Sequence, residues 1–571
     1  MGKFLIGLVT GVVLVFLGFI LLIFAALRFR ERPPEIPASA ALVLRLEGDV
    51  PEKPPVELPA ILGGGREAVT VTGVWASLRK AATDSRVKAV VLEPEGLSAG
   101  WGKIEEFRSD LEQFRKSGKP VYAYLRTPGS HEYYVATAAD RIYLGPADPF
   151  MLKGLRAEIP YFRNALDKLG VTVQVEHAGR YKDFGDMFTR TDMSPQTREV
   201  MDSVVNDVYG NLVERIAAAR KRTPAEVQNL IDQGPYTAGG ALQAGLVDEL
   251  RFEDQLWGEL KNALHAKDLA KVPIANYARA AAESGGKARV ALVVAEGDIV
   301  RGDPRDNGAD ESSLTSYGFD KLLERVGADP AVKAVIVRID SPGGEVTASD
   351  DIWRQMNLLS KKKPMVISMS DVAASGGYYM AMTGDPIVAY PGTTTGSIGV
   401  VFGKPVLRGL FDKIGVTQDG VQRGKHADID SVYTTLTPDE LALLRKGIDE
   451  SYRDFVSKVA DARHLPYEQV EPVAEGRAWL GSQAKANRLV DELGGLDTAV
   501  ELAKKRARIP AGEEVSVVIY PGRRSLLDVL TRRSQEDMLE ERVAAVFGKV
   551  PFHAWMKGGL LRIMPWAFSV R

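Results

Sequence analysis

The chain has 571 residues, 45% of them hydrophobic, a length that indicates more than one domain and a sizeable core. Its net charge of -2 gives no general affinity for nucleic acid, so no nucleic-acid partner is expected. Because the chain has no cysteine, disulfides, thiol nucleophiles and thiolate metal sites are excluded. Any side-chain nucleophile must therefore be an oxygen or an amine.

The amino terminus contains an uncharged apolar run, residues 4–27, that is long enough to span a bilayer as a helix. A cleaved signal peptide would have a shorter apolar region and a small-residue cleavage site, so an uncleaved anchor over residues 1–28 is favoured. Lys3 precedes the run, whereas three arginines follow it at positions 28, 30 and 32. Taken alone, this charge count would place the bulk of the chain in the cytoplasm.

After a proline-bearing linker at residues 29–40, the chain repeats itself at a spacing of about 243 to 250 residues. ALVLRLEGDV from Ala41 matches ALVVAEGDI from Ala291, and the LVDEL at Leu246 recurs at Leu489. We therefore predict two copies of one unit, at residues 41–255 and 289–508. An Ala- and Lys-rich helical linker at 256–288 is expected to join them, and a tail at 509–571 has no visible counterpart in the first copy.

Within each copy, short β-branched runs such as KAVIVRI and PMVISM have the length of strands. They alternate with longer stretches of helical period, such as DDIWRQMNLL. This alternation predicts an α/β fold in which helices cover largely buried strands.

Two matching segments each carry a serine followed by a Tyr-Tyr pair, but the residues beside the serines differ. Ser375 faces Ser130 in the repeat; Ser375 is followed by two glycines, whereas Ser130 is followed by His131 and Glu132. The SPGG turn of the second copy likewise faces a segment, PEGLSA at Pro94 to Ala99, that lacks glycines at the positions of its two glycines. A serine nucleophile needs backbone amides aimed at the developing oxyanion, and glycine lets the substrate carbonyl approach. Two such turns in one copy alone favour a functional site there over ordinary turns.

The repeat register also offers a base for such a serine. Lys182 in AGRYKDF faces Ala427 in RGKHADI, so the first copy keeps a lysine where the second has a methyl group. A lysine acts as a base only when neutral, which requires its pKa to fall by roughly three units through burial. Asp183 would oppose that fall if it pointed inward. The residues alone leave a solvated surface lysine as an equal alternative, and His426 is the rival base.

These motifs resemble those of the signal peptide peptidase A family, also called protease IV, in its long two-copy form. The specific marks are DSPGG at Asp340, ASGGYY at Ala374, TTTGSIGV at Thr393, and GRYKDF at Gly179 with a following SP at Ser194. The resemblance runs from the apolar run to about residue 525. It implies an α/β fold of tandem duplicated domains similar to ClpP and crotonase proteins, behind an N-terminal transmembrane helix.

The resemblance also implies a membrane-anchored serine endopeptidase that degrades cleaved signal peptides and other apolar membrane-associated peptides. By matching positions, it assigns the nucleophile to Ser375, the general base to Lys182, the hydroxyl that positions the lysine to Ser397, and the oxyanion amides to Gly376 and to Gly343 in preference to Gly344. It implies no cofactor. It further implies a homo-oligomer, with a tetramer favoured, in a bacterial inner membrane with the catalytic domain on the periplasmic side, against the charge count.

Two other classes of function remain open. A crotonase-like acyl-CoA enzyme would need an adenine and phosphate site but neither Ser375 nor Lys182, and a catalytically silent membrane scaffold would need no site. A metal at His131 and Glu132 is disfavoured because adjacent residues rarely share one. The aromatic and basic tail is compatible either with a membrane interface or with packing on a neighbouring subunit.

Overall fold

The computed structural model describes residues 34–54, 69–280, 286, 288–302, 313–522 and 560–564, together with the single positions 11 and 18. Apart from those two positions, the predicted anchor at residues 4–27 lies outside the described residues. Within the described ranges, no helix is long and apolar enough to cross a membrane.

The first copy is a parallel sheet flanked by helices. Its strands are β1 (Ala40–Gly48), β2 (Val87–Leu97), β3 (Val121–Leu125), β4 (Arg141–Leu144), β5 (Thr172–Ala178), β6 (Glu249–Leu250) and β7 (Ala270–Pro273). Its helices are α1 (Val71–Thr83), α2 (Trp101–Arg115), α3 (Ser130–Ala136), α4 (Arg163–Leu169), α5 (Asp186–Thr189), α6 (Pro195–Arg220), α7 (Pro224–Gln233), α8 (Ala238–Gln243), α9 (Glu253–Ala263) and α10 (Ile274–Arg279). The sheet order is β6-β4-β3-β2-β1-β7. The central strands β1 to β4 are largely buried because helices cover both faces of the sheet.

The second copy repeats this sheet with additions. Its strands are β8 (Ala288–Glu296), β9 (Ile299–Val300), β10 (Leu314–Thr315), β11 (Val332–Ser341), β12 (Gly343–Glu345), β13 (Met365–Ala374), β14 (Ile387–Ala389), β15 (Thr394–Gly396), β16 (Val400–Val406), β17 (Ala478–Leu480), β18 (Glu492–Leu493) and β19 (Val515–Tyr520). Its helices are α11 (Ser316–Ala328), α12 (Val346–Ser360), α13 (Gly376–Met380), α14 (Arg408–Ile414), α15 (Pro438–Arg463), α16 (Tyr467–Val470), α17 (Gly481–Ala486) and α18 (Leu496–Arg506). Strands β18, β14, β13, β11, β8 and β19 lie side by side in the order seen in the first copy.

The duplication extends to the helix ends. Helices α6 and α15 each have 26 residues and begin with proline, and the hydroxyls of Ser194 and Thr437 cap them by accepting an amide hydrogen bond. Proline is pre-organised for the first helical position, and a hydroxyl cap satisfies an otherwise free amide. The predicted tandem α/β fold is confirmed, and the SP motif at Ser194 is the start of α6.

Two predicted boundaries differ from the structure. The segment predicted as a helical linker, 256–288, contains β7, which pairs in parallel with β1 and so belongs to the first sheet. The segment predicted to be an unmatched tail contains β19, which pairs with β8 in the same way. These strands are therefore counterparts. Only Val272 of β7 is buried, so this short edge strand leaves no apolar alternation to recognise in the sequence.

A third sheet joins the two copies. A short strand from the carboxyl-terminal region, β20 (Leu560–Ile563), completes its order of β10-β9-β12-β20-β16-β5. Strand β5 of the first copy runs antiparallel to β16 of the second, with Ala178 opposite Val400. The loop that follows β5 is thereby carried into the second copy. Residues 560–564 thus pack within the chain, against β12 and β16.

Buried charges also join the copies, and no sequence pattern predicts them. The Arg338 guanidinium of the second copy lies 2.9 Å from the Glu52 carboxylate and 3.0 Å from that of Glu106, both in the first copy. Asp371 accepts hydrogen bonds from the amides of Gly100 and Lys103 at the start of α2. These contacts fix the relative position of the two copies.

Candidate active site

Three buried side chains meet where the loop after β5 enters the second copy. The Lys182 amine, Nζ, lies 2.8 Å from the Ser375 hydroxyl oxygen, 2.9 Å from the Ser397 hydroxyl oxygen and 2.9 Å from the Ser397 carbonyl oxygen. All three residues are fully buried. The structure thus brings together the lysine of one copy and the two serines of the other.

The backbone around Lys182 explains how a lysine enters this space. The Tyr181 amide donates to the Glu475 carbonyl at 2.9 Å, which ties the loop to the second copy. Gly476 has a φ of +77°, and a Cβ there would lie 2.5 Å from the Cβ of Lys182. Glycine is needed at this position both for its backbone conformation and for the close approach of the lysine.

Ser375 and Ser397 both have left-handed backbone conformations, with φ of +54° and +50°. Such values are uncommon outside glycine and persist where the surroundings hold them. The Ser375 amide donates to the Gly396 carbonyl and the Ser397 amide donates to the Arg477 carbonyl, each at 2.8 Å. These bonds hold Ser375 at the turn between β13 and α13 with its hydroxyl towards Lys182.

The glycines next to Ser375 form a surface without side chains. A Cβ built on Gly343 would lie 2.6 Å from the amide nitrogen of Gly376, so the two residues are adjacent. The Gly343 amide donates to the Ser341 hydroxyl at 3.2 Å. A Cβ on Gly344 would instead lie 2.0 Å from the Ile299 carbonyl, which places Gly344 against β9. Of the two glycines considered for this role, Gly343 is the one that faces Gly376.

Burial lowers the pKa of Lys182 well below its usual value, because the charged ammonium would lose its water. The negative charge of Asp183 raises this pKa, as expected for an inward-pointing carboxylate, and the charge of Arg562 lowers it. Burial also raises the pKa of Asp183 to about 7. Near neutral pH the Asp183 carboxyl is therefore partly protonated, which weakens its opposition to a neutral lysine.

In the first copy, the place that corresponds to the glycines beside Ser375 is occupied by the side chain of Glu132. The Glu132 carboxylate accepts hydrogen bonds from the amides of Leu97, at 2.6 Å, and Gly129, at 2.9 Å. The Ser98 amide, the counterpart of that of Gly343, donates to the Gly48 carbonyl. The counterpart of the Gly343 amide is thus bonded to a backbone carbonyl within the first copy.

The Tyr-Tyr pair shared by the two copies has a structural explanation. The Tyr133 hydroxyl donates to the carbonyl of Leu246, and the Tyr378 hydroxyl donates to that of Leu489, each at 2.8 Å. These leucines begin the two LVDEL segments. The rival base His426 lies with its Nδ1 atom 3.7 Å from the Glu440 carboxylate at the start of α15.

Comparison with known proteins gives the family. A family model described as "Peptidase family S49" matches residues 113–267 and 357–510, one segment in each copy. The chain is 36% identical over 449 residues to "Serine protease SPPA, chloroplastic" of Arabidopsis thaliana, covering 77% of this chain and 66% of that protein. It is 31% identical over 501 residues to "Protease 4" of Salmonella typhi, covering 83% of this chain and 79% of that protein. For "Protease 4" of Haemophilus influenzae the identity is 30% over 521 residues, with coverages of 86% and 83%.

Among solved structures, a ClpP1 mutant of Listeria monocytogenes matches 37% of this chain and 94% of its own, with 15% identity and a TM-score of 0.24. The family match and the relatives support a peptidase rather than an acyl-CoA enzyme. The chain belongs to peptidase family S49 and is a two-copy serine peptidase.

Proposed function

We propose that the chain hydrolyses peptide bonds with a Ser-Lys dyad in which Ser375 is the nucleophile and Lys182 the general base. The observation that carries the proposal is the 2.8 Å contact between the Lys182 amine and the Ser375 hydroxyl in a fully buried site. A neutral amine has two hydrogens and one lone pair. Ser397 offers its carbonyl and its hydroxyl as acceptors, so the lone pair is left for the proton of Ser375.

In the first half of the reaction, Lys182 takes the hydroxyl proton as the Ser375 oxygen bonds to the substrate carbonyl carbon. The carbonyl oxygen becomes an oxyanion, and the amides of Gly376 and Gly343 are the proposed donors. For Gly343 this requires its amide to leave the Ser341 hydroxyl. The carbon–nitrogen bond then breaks, and Lys182 returns the proton to the departing amine.

In the second half, Lys182 takes a proton from water as the water oxygen attacks the acyl ester on Ser375. The ester bond breaks, the peptide acid leaves, and the proton returns to the Ser375 oxygen. Ser397 acts as a positioning residue because its carbonyl and hydroxyl hold the amine in place. Ser130 has no such partner lysine in the repeat and is proposed to be structural.

The proposed substrates are apolar peptides held near a membrane, including cleaved signal peptides. Buried Phe184, Met187, Phe188 and Val401 form an apolar cluster beside the loop that carries Lys182, which suits an apolar peptide segment. The apolar run at residues 4–27 is proposed to anchor the chain in a bacterial inner membrane, with the catalytic domain on the periplasmic side. Such anchoring would raise the effective concentration of membrane-associated substrates.

The proposed domains are the anchor, the two copies and a carboxyl-terminal segment, as predicted from the sequence. The strand β7 is now included in the first copy and the strand β19 in the second. A homo-oligomer, with four subunits favoured, completes the proposal. Size-exclusion chromatography with light scattering, in detergent, measures the subunit number directly.

The test of the proposed activity is hydrolysis of a fluorogenic apolar peptide by the full chain in detergent. Lys182→Ala and Ser375→Ala should each lower kcat by at least about a thousandfold, since a nucleophile and its base act as a unit. Ser130→Ala is the matched control and should retain parental turnover. Parental activity of Lys182→Ala would mean that another group activates the serine.

A further inference from the structure

Arg477 lies directly before β17 in the second copy, and its side chain reaches the loop that carries Lys182. The guanidinium carbon Cζ lies 4.9 Å from the ring centroid of Tyr181 and 4.5 Å from that of Trp479. The guanidinium also forms an ion pair with the Glu199 carboxylate of α6, in the first copy. The side chain of Arg477 is only 13% exposed, so residues of both copies enclose it.

Tyr181 is held through both its hydroxyl and its backbone. The hydroxyl donates to the Glu199 carboxylate at 3.1 Å, and the backbone amide donates to the Glu475 carbonyl at 2.9 Å. Cations over aromatic faces are attracted by the ring quadrupole, so Arg477 adds a third contact. We call Arg477, Tyr181 and Glu199 the clamp. Because Lys182 follows Tyr181 directly in the chain, the clamp fixes where the lysine side chain begins.

The turn that contains Arg477 also fixes the acceptors of the lysine amine. The Arg477 carbonyl accepts a hydrogen bond from the Ser397 amide, and the Gly476 amide donates to the Ile398 carbonyl, each at 2.8 Å. Ser397 supplies the carbonyl and the hydroxyl that the Lys182 amine contacts. Arg477 is therefore connected to the lysine twice, through its side chain at the loop and through its backbone at Ser397.

The repeat shows that the clamp accompanies the lysine. The register that aligns the two LVDEL segments, the prolines that begin α6 and α15, and Lys182 with Ala427 gives the positions that face the clamp. Opposite Arg477, Tyr181 and Glu199, in that order, stand Gly234, His426 and Ala442. Residues needed only to fold the unit would be expected in both copies, as the Tyr-Tyr pair is. The three clamp residues are instead lost together with the lysine.

We propose that Arg477 is a positioning residue that, through the clamp, holds the amine of Lys182 between Ser375 and Ser397. The inference rests on the proposed function, since it assigns the group that positions the base of that reaction. Arg477 acts through Tyr181 and Ser397 and takes no part in the transfer of the proton. A displacement of about 1 Å in a catalytic group can cost about a hundredfold in rate, so a loosened clamp has a measurable effect.

Loosening the clamp should also change the pH at which the lysine becomes a base. Burial keeps the pKa of Lys182 low, and the charges of Asp183 and Arg562 act on it in opposite directions. Neither of these two charges is altered when Arg477 is replaced. A loosened loop admits water to the amine, so its pKa rises and the acid limb of the pH profile moves upward. A purely structural role would lower the amount of active protein equally at every pH.

The test measures kcat, KM and the pH profile of the full chain in detergent with a fluorogenic apolar peptide. Arg477→Ala should lower kcat by at least about tenfold, leave KM within about twofold and raise the midpoint of the acid limb by at least about half a pH unit. Arg477→Lys keeps the positive charge but has no planar group to lie over two rings, so it should remain impaired.

The matched control is Arg445→Ala. Arg445 also pairs with a glutamate of the other copy, Glu176, but its side chain is 62% exposed and it belongs to α15. Exposed ion pairs contribute little, so this variant should keep the parental kcat, KM and acid limb.

Chemical rescue provides a second readout. Arg477→Ala leaves a space beside Tyr181, Trp479 and Glu199 that suits a free guanidinium ion. Guanidinium chloride at about 20 mM, far below denaturing concentrations, should raise kcat of Arg477→Ala at least about threefold. Sodium chloride at the same concentration should not, and neither salt should raise kcat of the parent or of Arg445→Ala.

A parental acid limb for Arg477→Ala, a fall in its kcat that guanidinium does not reverse, or parental kinetics of Arg477→Lys would each overturn the proposal. If Arg477→Ala does not fold, Glu199→Gln supplies the measurement at a side chain that is 54% exposed. Its kcat should fall at least about threefold at constant KM, and a parental kcat again overturns the clamp. These outcomes differ from failure of the proposed function, in which Lys182→Ala itself would retain parental turnover.

Discussion

Replacing Asp183 by asparagine should make Lys182 a base at lower pH. Asp183 is the neighbour of Lys182 in sequence, it is 5% exposed, and its negative charge raises the pKa of the amine. Activity requires the neutral amine, so it is lost as the pH falls through the pKa of Lys182. Asparagine is similar in size to aspartate and carries no charge, so its introduction should move the acid limb of the pH profile downward.

The size of the shift follows from the charges involved. Two unit charges at about 4 Å and an effective dielectric constant of about 20 interact by about 4 kcal/mol. The Asp183 carboxyl has a pKa of about 7 and is therefore only partly ionised near neutrality. We expect the midpoint of the acid limb to fall by roughly one pH unit, equivalent to about 1.4 kcal/mol.

The assay is kcat/KM for a fluorogenic peptide between pH 5 and pH 10, measured for the parent and for Asp183→Asn. Asp192→Asn is the matched control, because Asp192 lies in the same region with a side chain that is 74% exposed. Its acid limb should coincide with that of the parent. An acid limb for Asp183→Asn that is unchanged or moved upward would refute the electrostatic coupling between Asp183 and the titrating base.

Four further outcomes follow from the same contacts. Ser397→Ala should lower kcat by roughly tenfold and shift the acid limb of the pH profile, whereas a purely structural role would leave the midpoint unchanged. Gly343→Ala should lower kcat/KM by at least about a hundredfold, because the residue has a φ of +105° and its new Cβ would lie 2.6 Å from the amide nitrogen of Gly376. Gly239→Ala in α8, where a Cβ meets nothing within 4 Å, should keep parental kinetics. Arg338→Met should destabilise the chain by about 3–5 kcal/mol in thermal unfolding, because it leaves Glu52 and Glu106 buried without their cation. The control Arg79→Ala removes a half-exposed ion pair and should change the stability little in the same assay. Folding raises the pKa of Asp183 from 3.8 to about 7, so the folded chain holds this proton more tightly and its free energy of unfolding falls as the pH rises between these two values. Urea unfolding at pH 4 and pH 8 measures this fall, and Asp183→Asn should make it smaller by up to about 4 kcal/mol.

The repeat explains why so much of the site is visible in the sequence. Aligning the copies exposed the glycines after Ser375 and the lysine opposite Ala427 as differences, and the structure places Lys182 and Ser375 in contact. The contact itself depends on the antiparallel pairing of β5 with β16, which joins segments more than 200 residues apart. No local pattern predicts such pairing, because register between distant strands is set by the whole fold.

Other features could not be read from the sequence for specific physical reasons. Arg338 looks like any strand residue, and its buried pairs with Glu52 and Glu106 exist only once the copies dock. Gly476 is one glycine among 55, and its closeness to Lys182 becomes apparent only from its backbone conformation. The strand β20 is four residues long, too short to show a strand period among the aromatic and basic residues around it.

The most direct test of the central proposal is the reaction of the full chain with a fluorophosphonate probe, followed by peptide mapping, for the parent and for Lys182→Ala. A Ser-Lys dyad predicts that the probe attaches to Ser375, that the rate rises with pH as Lys182 loses its proton, and that Lys182→Ala reacts at least about a hundredfold more slowly. Labelling of another serine, or a parental rate for Lys182→Ala, would contradict it.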